Sequence, residues 1–214
     1  MKQAKTVLFD FDGVIVDTEP IYDIFWNEAS VRYHIDIKDF AGVIKGTTLP
    51  DIIEKYFAGR SGEEIRRLIE ESAAYESDMP LPAMPGSLEF LHLLKANGVR
   101  MGLVTSSDMT KIERAITLHK LEEMFDTIVT ADRITRGKPD PMCYLLAAAD
   151  LRVSPTDCIA FEDSFNGIQA ASSAGMRVIG LSTTNPTETL KDKVYRVIPD
   201  FRRITFEQYL EWTK

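Results

Sequence analysis

A doubly wound α/β core carrying an inserted helical module is the fold class this sequence predicts, and three observations predict it. Short apolar runs recur at Val7 to Phe9, Met101 to Val104 and Ile159 to Phe161, with helical segments between them. The runs Thr127 to Thr130, Val178 to Leu181 and Val197 to Ile198 continue the series. Strands alternating with helices build βαβ units, whose parallel sheet is covered on both faces. The third observation is a break in that alternation: from about Ile21 to Met79 the chain has helical periodicity and almost no strand signal.

The first strand ends on Asp10-Phe11-Asp12-Gly13. Alternate side chains of an extended chain share a face, so Asp10 and Asp12 can converge where the strand ends. Two like charges this close stay ionised only if a cation compensates, or else one takes a proton. Magnesium accepts a few carboxylate and carbonyl oxygens and keeps waters that a phosphate can replace. An anionic carboxylate could then attack phosphorus as a nucleophile. Asp12-Gly13 is also a hairpin-turn signal, and a turn alone would account for those two residues.

Within the insertion, helices are expected over Ile21 to Tyr33, Asp51 to Phe57 and Glu63 to Tyr75. In the last of these Ile65, Leu68, Ile69 and Ser72 or Ala73 mark one face. Ser61 and Glu64 have capping-box spacing. The stretch Met79-Pro80-Leu81-Pro82-Ala83-Met84-Pro85-Gly86 then ends helical structure. The expected division is a core of residues 1–17 and 83–214 and an inserted cap of residues 18–82. Ligands of open α/β sheets bind beyond the carboxyl ends of the strands, where the insertion leaves the core, so it can act as a lid. A helical layer that merely adds bulk is the alternative.

Three further segments follow strands or precede helices. Thr105-Ser106-Ser107-Asp108 offers hydroxyls and backbone N–H groups at a helix start, suited to an anion, although Ser107 or Asp108 could be a simple cap. Arg136-Gly137-Lys138-Pro139-Asp140-Pro141 places a lysine on a stiff loop, either as a point charge for phosphate or as a solvated surface residue. Glu162-Asp163-Ser164 is a second acidic pair at a strand end, with Asp163 or Ser164 also able to cap the helix Gly167 to Ala174. Crowding four carboxylates is costly without a cation, and a joint magnesium site explains the expense.

Composition narrows the partners. The 214 residues include 25 basic and 33 acidic ones, a formal charge of -8 that disfavours nucleic acid and anionic membranes. No stretch approaches a spanning length, and the early apolar run is broken by Asp10 and Asp12 rather than reading as a secretory leader. Cys143 and Cys158 lack zinc-site spacing and are expected as buried thiols. A cytoplasmic location is expected; the sequence sets no oligomeric state and is compatible with a monomer.

Taken together, Asp10 to Pro20, Val104-Thr105-Ser106, Gly137-Lys138-Pro139 and Glu162-Asp163-Ser164 resemble the motifs of the haloacid dehalogenase superfamily. The likeness is to its branch with an alpha-helical cap, which contains beta-phosphoglucomutase and small sugar phosphatases. It spans essentially the whole chain and implies a Rossmann-like core with that cap. It implies Asp10 as the nucleophile that becomes an aspartyl-phosphate and Asp12 as general acid and then base. It also implies Mg2+ held by Asp10, the backbone carbonyl of Asp12 and Asp163, with Glu162 a direct or water-mediated ligand. Thr105, the Ser106 backbone N–H and Lys138 would grip the transferring phosphoryl group.

Two positions depart from the mutase pattern. Tyr22 stands where beta-phosphoglucomutase has a histidine, and Leu49 where its cap has an arginine. A mutase needs a second anion site, and losing that arginine removes its best fork-like donor, although Lys45, Arg60, Arg66 or Arg67 could compensate if the cap aims one inward. The expected activity is therefore a Mg-dependent phosphatase of small phosphorylated metabolites, sugar phosphates among them, with a phosphosugar mutase as the alternative. From other classes, a phospho-accepting receiver domain lacks such an insertion, and a non-catalytic ligand-binding relative would not need every chemical position filled. His34, His92 and His119 match no motif and are expected as surface or packing residues. Asp17-Thr18-Glu19-Pro20 is expected as a hinge.

Overall fold

The structure, a computed structural model, describes residues 6–214. Six strands form one parallel sheet: β1 (Thr6–Phe9), β2 (Met101–Val104), β3 (Thr127–Val129), β4 (Cys158–Glu162), β5 (Arg177–Leu181) and β6 (Arg196–Ile198). Their order is β3-β2-β1-β4-β5-β6. Register places Phe9 beside Leu103 on one side and Phe161 on the other. The chain thus leaves β1 toward β2 and β3, then returns to β4 on the opposite side of β1, and β1 stands at a topological switch point.

Strand periodicity sorts the core into two layers. Val7, Phe9, Met101, Leu103, Ile159 and Phe161 face one way, into a cluster with Phe90, Leu94, Ile112 and Trp212. Leu8, Val104, Cys158 and Ala160 face the other, against Tyr144, Ala147 and Ile168. The adjacent rings of Phe9 and Phe161 stack with centroids 5.0 Å apart. Burial of each such side chain contributes about 1.5–3 kcal/mol. Both cysteines lie buried in the second layer, as expected from their apolar neighbours.

The helices are α1 (Glu19–Arg32), α2 (Phe40–Ile44), α3 (Leu49–Tyr56), α4 (Gly62–Asp78), α5 (Ser87–Ala96), α6 (Met109–His119), α7 (Met142–Asp150), α8 (Phe165–Ser173), α9 (Thr187–Leu190) and α10 (Phe206–Trp212). Helices α1 and α3 start two residues earlier than the periodicity suggests, because each carries a proline in its first turn, where the missing N–H costs nothing. The Ser61–Glu64 capping box is present. Helices α1 to α4 bury a cluster of their own, built on Phe25, Trp26, Phe40, Ile52, Phe57 and Leu68. The connections into and out of this bundle run side by side: Asp17 N–H donates to Pro82 O at 2.8 Å, and Met84 N–H to Ile15 O at 2.8 Å. Among the described residues no helix is long and apolar enough to cross a membrane.

Candidate active site

The carboxyl ends of β1, β2 and β3 open into a cavity of about 330 Å³ between the sheet and the inserted helices, lined from the core by Asp10, Asp12, Ser106, Ser107 and Asp132. Gly13 allows two chain segments to meet there. Its φ of +73° belongs to the left-handed region, and a Cβ on it would lie 2.0 Å from Asp163 Oδ2. The turn reading of Asp12-Gly13 holds as well, since Gly13 N–H closes onto Val16 O at 2.8 Å. Carboxylate pair and turn coexist, because the turn folds the chain back just after it has presented the acids.

Asp10 is buried, and Lys138 Nζ lies 2.8 Å from its Oδ1. The same ammonium donates to Glu162 Oε1 at 2.7 Å and to Val104 O at 3.3 Å. Lys138 is only 2% exposed, so it is not a solvated surface lysine. Burial would lower its pKa, but Asp10 and Glu162 outweigh that and hold it above the usual value. Glu162, wholly buried, also accepts from Tyr144 Oη at 2.6 Å. Burial, helped by the charge of Glu162, pushes Asp10 up to about 8 against the pull of Lys138.

Asp12 is treated in the opposite way. Its Oδ1 accepts from Thr18 Oγ1 and from Lys111 Nζ, the latter at 2.5 Å, and its Oδ2 from Ser107 Oγ at 2.9 Å. Burial alone would raise it, yet the Lys111 ammonium and these hydrogen bonds carry it below the ordinary carboxylate range. Two carboxylates two residues apart are thereby pushed in opposite directions.

Asp10, Glu162 and Asp163 each offer an oxygen to one spot, all within 4.8 Å of one another. Asp163 Oδ2 accepts from Thr184, whereas its Oδ1 is buried without a partner. Burial and the charges of Glu19, Asp10 and Glu162 drive the Asp163 carboxyl well above its usual value. A buried orphan oxygen beside two more carboxylates is the donor set of a hard cation, and it fits a magnesium ion. The Asp12 carboxylate stands outside this group, facing Lys111.

Thr105 is buried at the end of β2, its Oγ1 accepting from Ser107 N–H at 3.0 Å. Ser106 turns its hydroxyl to the insertion, donating to Gly46 O at 2.8 Å. Asp108 caps α6, accepting from Lys111 N–H at 3.0 Å, which frees Ser107 for Asp12. Ser164 caps α8 through Gly167 N–H at 3.0 Å. The structure thus brings Asp10, Asp12, Thr105, Ser106, Lys138, Glu162 and Asp163 to one end of the sheet.

Lys111, Thr18, Tyr144 and Thr184 were not legible as site residues. Lys111 reads as an ordinary first-turn lysine of an amphipathic helix, yet it is 3% exposed. One signal was available: Ser107 and Lys111 are four apart, and on a helix that spacing stacks them, here at 3.1 Å.

A parallel sheet with a carboxylate nucleophile candidate, a buried lysine and a cation cradle at its switch point defines a hydrolase class that works through aspartate. The model of the family described as haloacid dehalogenase-like hydrolase matches residues 7–181, and the chain belongs to that family. It is 34% identical to the validoxylamine A 7'-phosphate phosphatase of Streptomyces hygroscopicus subsp. limoneus, covering 88% of this chain and 90% of the relative. It is 31% identical to hexitol phosphatase B of Escherichia coli K12, with 83% of each chain covered. The crystal structure of beta-phosphoglucomutase from Clostridium difficile superposes with a TM-score of 0.80 at 28% identity, covering 99% of this chain and 97% of that one.

Proposed function

We propose that the protein is a magnesium-dependent phosphatase that hydrolyses small phosphorylated metabolites, sugar phosphates among them, through an aspartyl-phosphate on Asp10. The observation that carries this reading is the placing of Asp10 beside Lys138 and within the carboxylate cluster of Glu162 and Asp163, while Asp12 lines the same cavity outside that cluster, as a nucleophile and a separate acid/base would. The names of the relatives, a validoxylamine A 7'-phosphate phosphatase and a hexitol phosphatase, support it.

In the first step an Asp10 oxygen attacks phosphorus, the bond to the ester oxygen breaks, and Asp12 delivers a proton to the departing alkoxide. In the second, Asp12 draws a proton from a water whose oxygen attacks the phosphorus, and the bond to Asp10 breaks to release phosphate and restore the carboxylate. Lys138, Thr105 and the Ser106 backbone N–H stabilise charge on the phosphoryl oxygens. Asp10, the Asp12 backbone carbonyl and Asp163, with Glu162 beside them, would hold magnesium, which screens the phosphoryl charge from the attacking carboxylate. Residues 18–82 act as the cap over this chemistry, in a cytoplasmic enzyme.

Hydrolysis is favoured over phosphoryl return to a second hydroxyl by the charge of the cap side of the cavity. Leu49 offers no fork there, and Lys45 is engaged by Glu19 at 2.6 Å and Asp23 at 2.7 Å. Arg60 turns to the Tyr33 carbonyl, and Arg66 and Arg67 are not part of the lining. A bisphosphate would meet Glu19, Asp23 and Glu76 with no uncommitted cation among the described lining residues to receive its second group.

The test is phosphate release from a panel of sugar and polyol monophosphates with Mg2+, together with acid-quench trapping of a phosphoenzyme. Full turnover by Asp10→Asn would sink the reading. Conversion of beta-glucose 1-phosphate plus a bisphosphate primer into glucose 6-phosphate, without net phosphate release, would replace it with the mutase.

A further inference from the structure

Behind the acid/base aspartate lies a chain of polar contacts that the two chemical steps do not use. The Lys111 ammonium reaches Asp12 Oδ1 at 2.5 Å, Tyr22 Oη at 2.8 Å and Ser107 Oγ at 3.1 Å. An ammonium has three N–H bonds, so all of its donors are committed in three fixed directions. Its Nζ also lies 4.5 Å from the centre of the Tyr22 ring and 5.5 Å from that of Phe11. Tyr22 in turn donates its hydroxyl proton to Glu76. The path therefore runs from the loop after β1, through core helix α6, to α1 and then α4 of the insertion.

The rest of α6 grips the insertion's second connection. Arg114 donates to Ser77 O and, at 2.7 Å, to Met79 O. His119 Nε2 contacts Leu81 O at 2.7 Å. Residues 111, 114 or 115, and 118 or 119 recur at one-turn spacing, so a single face of α6 bears on the seat of the insertion. On the other side of Asp12, Thr18 binds Oδ1 from the residue that starts α1. Asp12 Oδ1 is thus shared by Lys111 and Thr18, two groups tied to the seating of the insertion, while Oδ2 is held by Ser107 of the core.

We propose that Lys111 is a positioning residue for Asp12, and that Tyr22 and Glu76 make this positioning conditional on a seated cap. With α1 and α4 in place, the three-pointed ammonium has one orientation and presents Asp12 to the ester oxygen. With the cap displaced, Tyr22 leaves, a donor of Lys111 falls free and the carboxylate loses its fixed direction. Protonation of the leaving group is then coupled to enclosure of the substrate, so water does not share the site while the ester bond is breaking. Misplacement of a catalytic group by about 1 Å costs about 100-fold, and that is the scale of effect assigned to Lys111. The inference rests on the phosphatase reading, and the experiment separates the two.

Two esters distinguish positioning of the acid from general damage. Benzyl phosphate expels an alkoxide that needs the proton, and p-nitrophenyl phosphate expels a phenolate that barely needs it. The expected result for Lys111→Met is a kcat/KM for benzyl phosphate lower by about 100-fold, within the range of acid catalysis, and a loss several-fold smaller for p-nitrophenyl phosphate. Tyr22→Phe, which removes one hydroxyl, shifts the same ratio in the same direction by a smaller factor and covers the case of a Lys111 variant that does not fold. Equal losses on both esters, or an unchanged ratio in a folded variant, overturn the positioning role. If the wild-type protein releases phosphate with Mg2+ from neither ester and from no member of the sugar and polyol panel, the phosphatase reading itself falls, a result that no Lys111 variant is needed to see.

Discussion

The ends of β1 and β4 each carry two carboxylates, yet the fold uses the pairs in opposite ways. At β1 the residues are divided between two lysines: Asp10 against Lys138, Asp12 against Lys111. At β4 there is no such division, since Glu162 is spent on Lys138 and Tyr144 while Asp163 keeps a buried oxygen without a partner. The first pair is differentiated, as chemistry with two roles requires. The second is concentrated, as a cation cradle requires, and its charge helps to raise Asp10. The two pairs thus differ in which cations stand behind them, not in the acids themselves.

The contrast can be broken most sharply at Asp10. Asp10→Asn should reduce turnover of any phosphate monoester by about 10⁴-fold or more, as loss of a covalent nucleophile does; phosphate release under substrate saturation reads it. Next comes Lys138→Met, which strands Asp10 and Glu162 as buried charges. In chelated protein it should cost about 3–5 kcal/mol of stability, measured by urea unfolding. Lys111→Met should cost clearly less, because Asp12 keeps Thr18 and Ser107 and its side chain is 16% exposed.

The cradle at β4 is tested by metal. Chelation should stop phosphate release, and Mg2+ at 100 times its dissociation constant should raise the unfolding free energy by about 2.7 kcal/mol. Asp163→Asn should abolish that gain while Asp12→Asn, whose backbone carbonyl is untouched, retains it.

The smallest effect lies away from both strand ends and serves as a reference for an exposed pair. Asp150, hydrogen-bonded by Arg133 and Thr127, has a carboxyl below the usual range. Its stabilisation is therefore present above the ordinary carboxylate pKa and lost as pH falls through the lowered folded value. Asp150→Asn should cost under about 1 kcal/mol at neutral pH, and the difference from wild type should vanish in acid.

How much of this was legible in the sequence depended on the range of the interaction that carried it. All six strands were readable, because burial on both faces writes each one as an uninterrupted apolar run. The three long helices of the insertion were readable from periodicity, with ends displaced where Pro20 and Pro50 start a helix early. Short α2 was not, since five residues are too few to establish a period. Helix α10 leaves one trace in the sequence, the capping-box spacing of Thr205 and Gln208 around its start. At the site, Asp10, Lys138 and Asp163 were legible through motif spacing, while the burial of Lys111 against Asp12, 99 positions away, left no local trace.

The sequence by itself determined the alternation of strand and helix, the place of the insertion and the identity of the acids, lysine and hydroxyls at the strand ends. These are local properties, set by side-chain period, turn chemistry and residue type. Only the tertiary structure decided which lysine faces which aspartate, that Asp163 is left with an orphan oxygen, and that α6 joins Asp12 to the inserted helices. Those depend on Coulomb and hydrogen-bond interactions that act through space in a desolvated cavity. Their sign and size follow from distance and burial, which a linear order of residues does not contain.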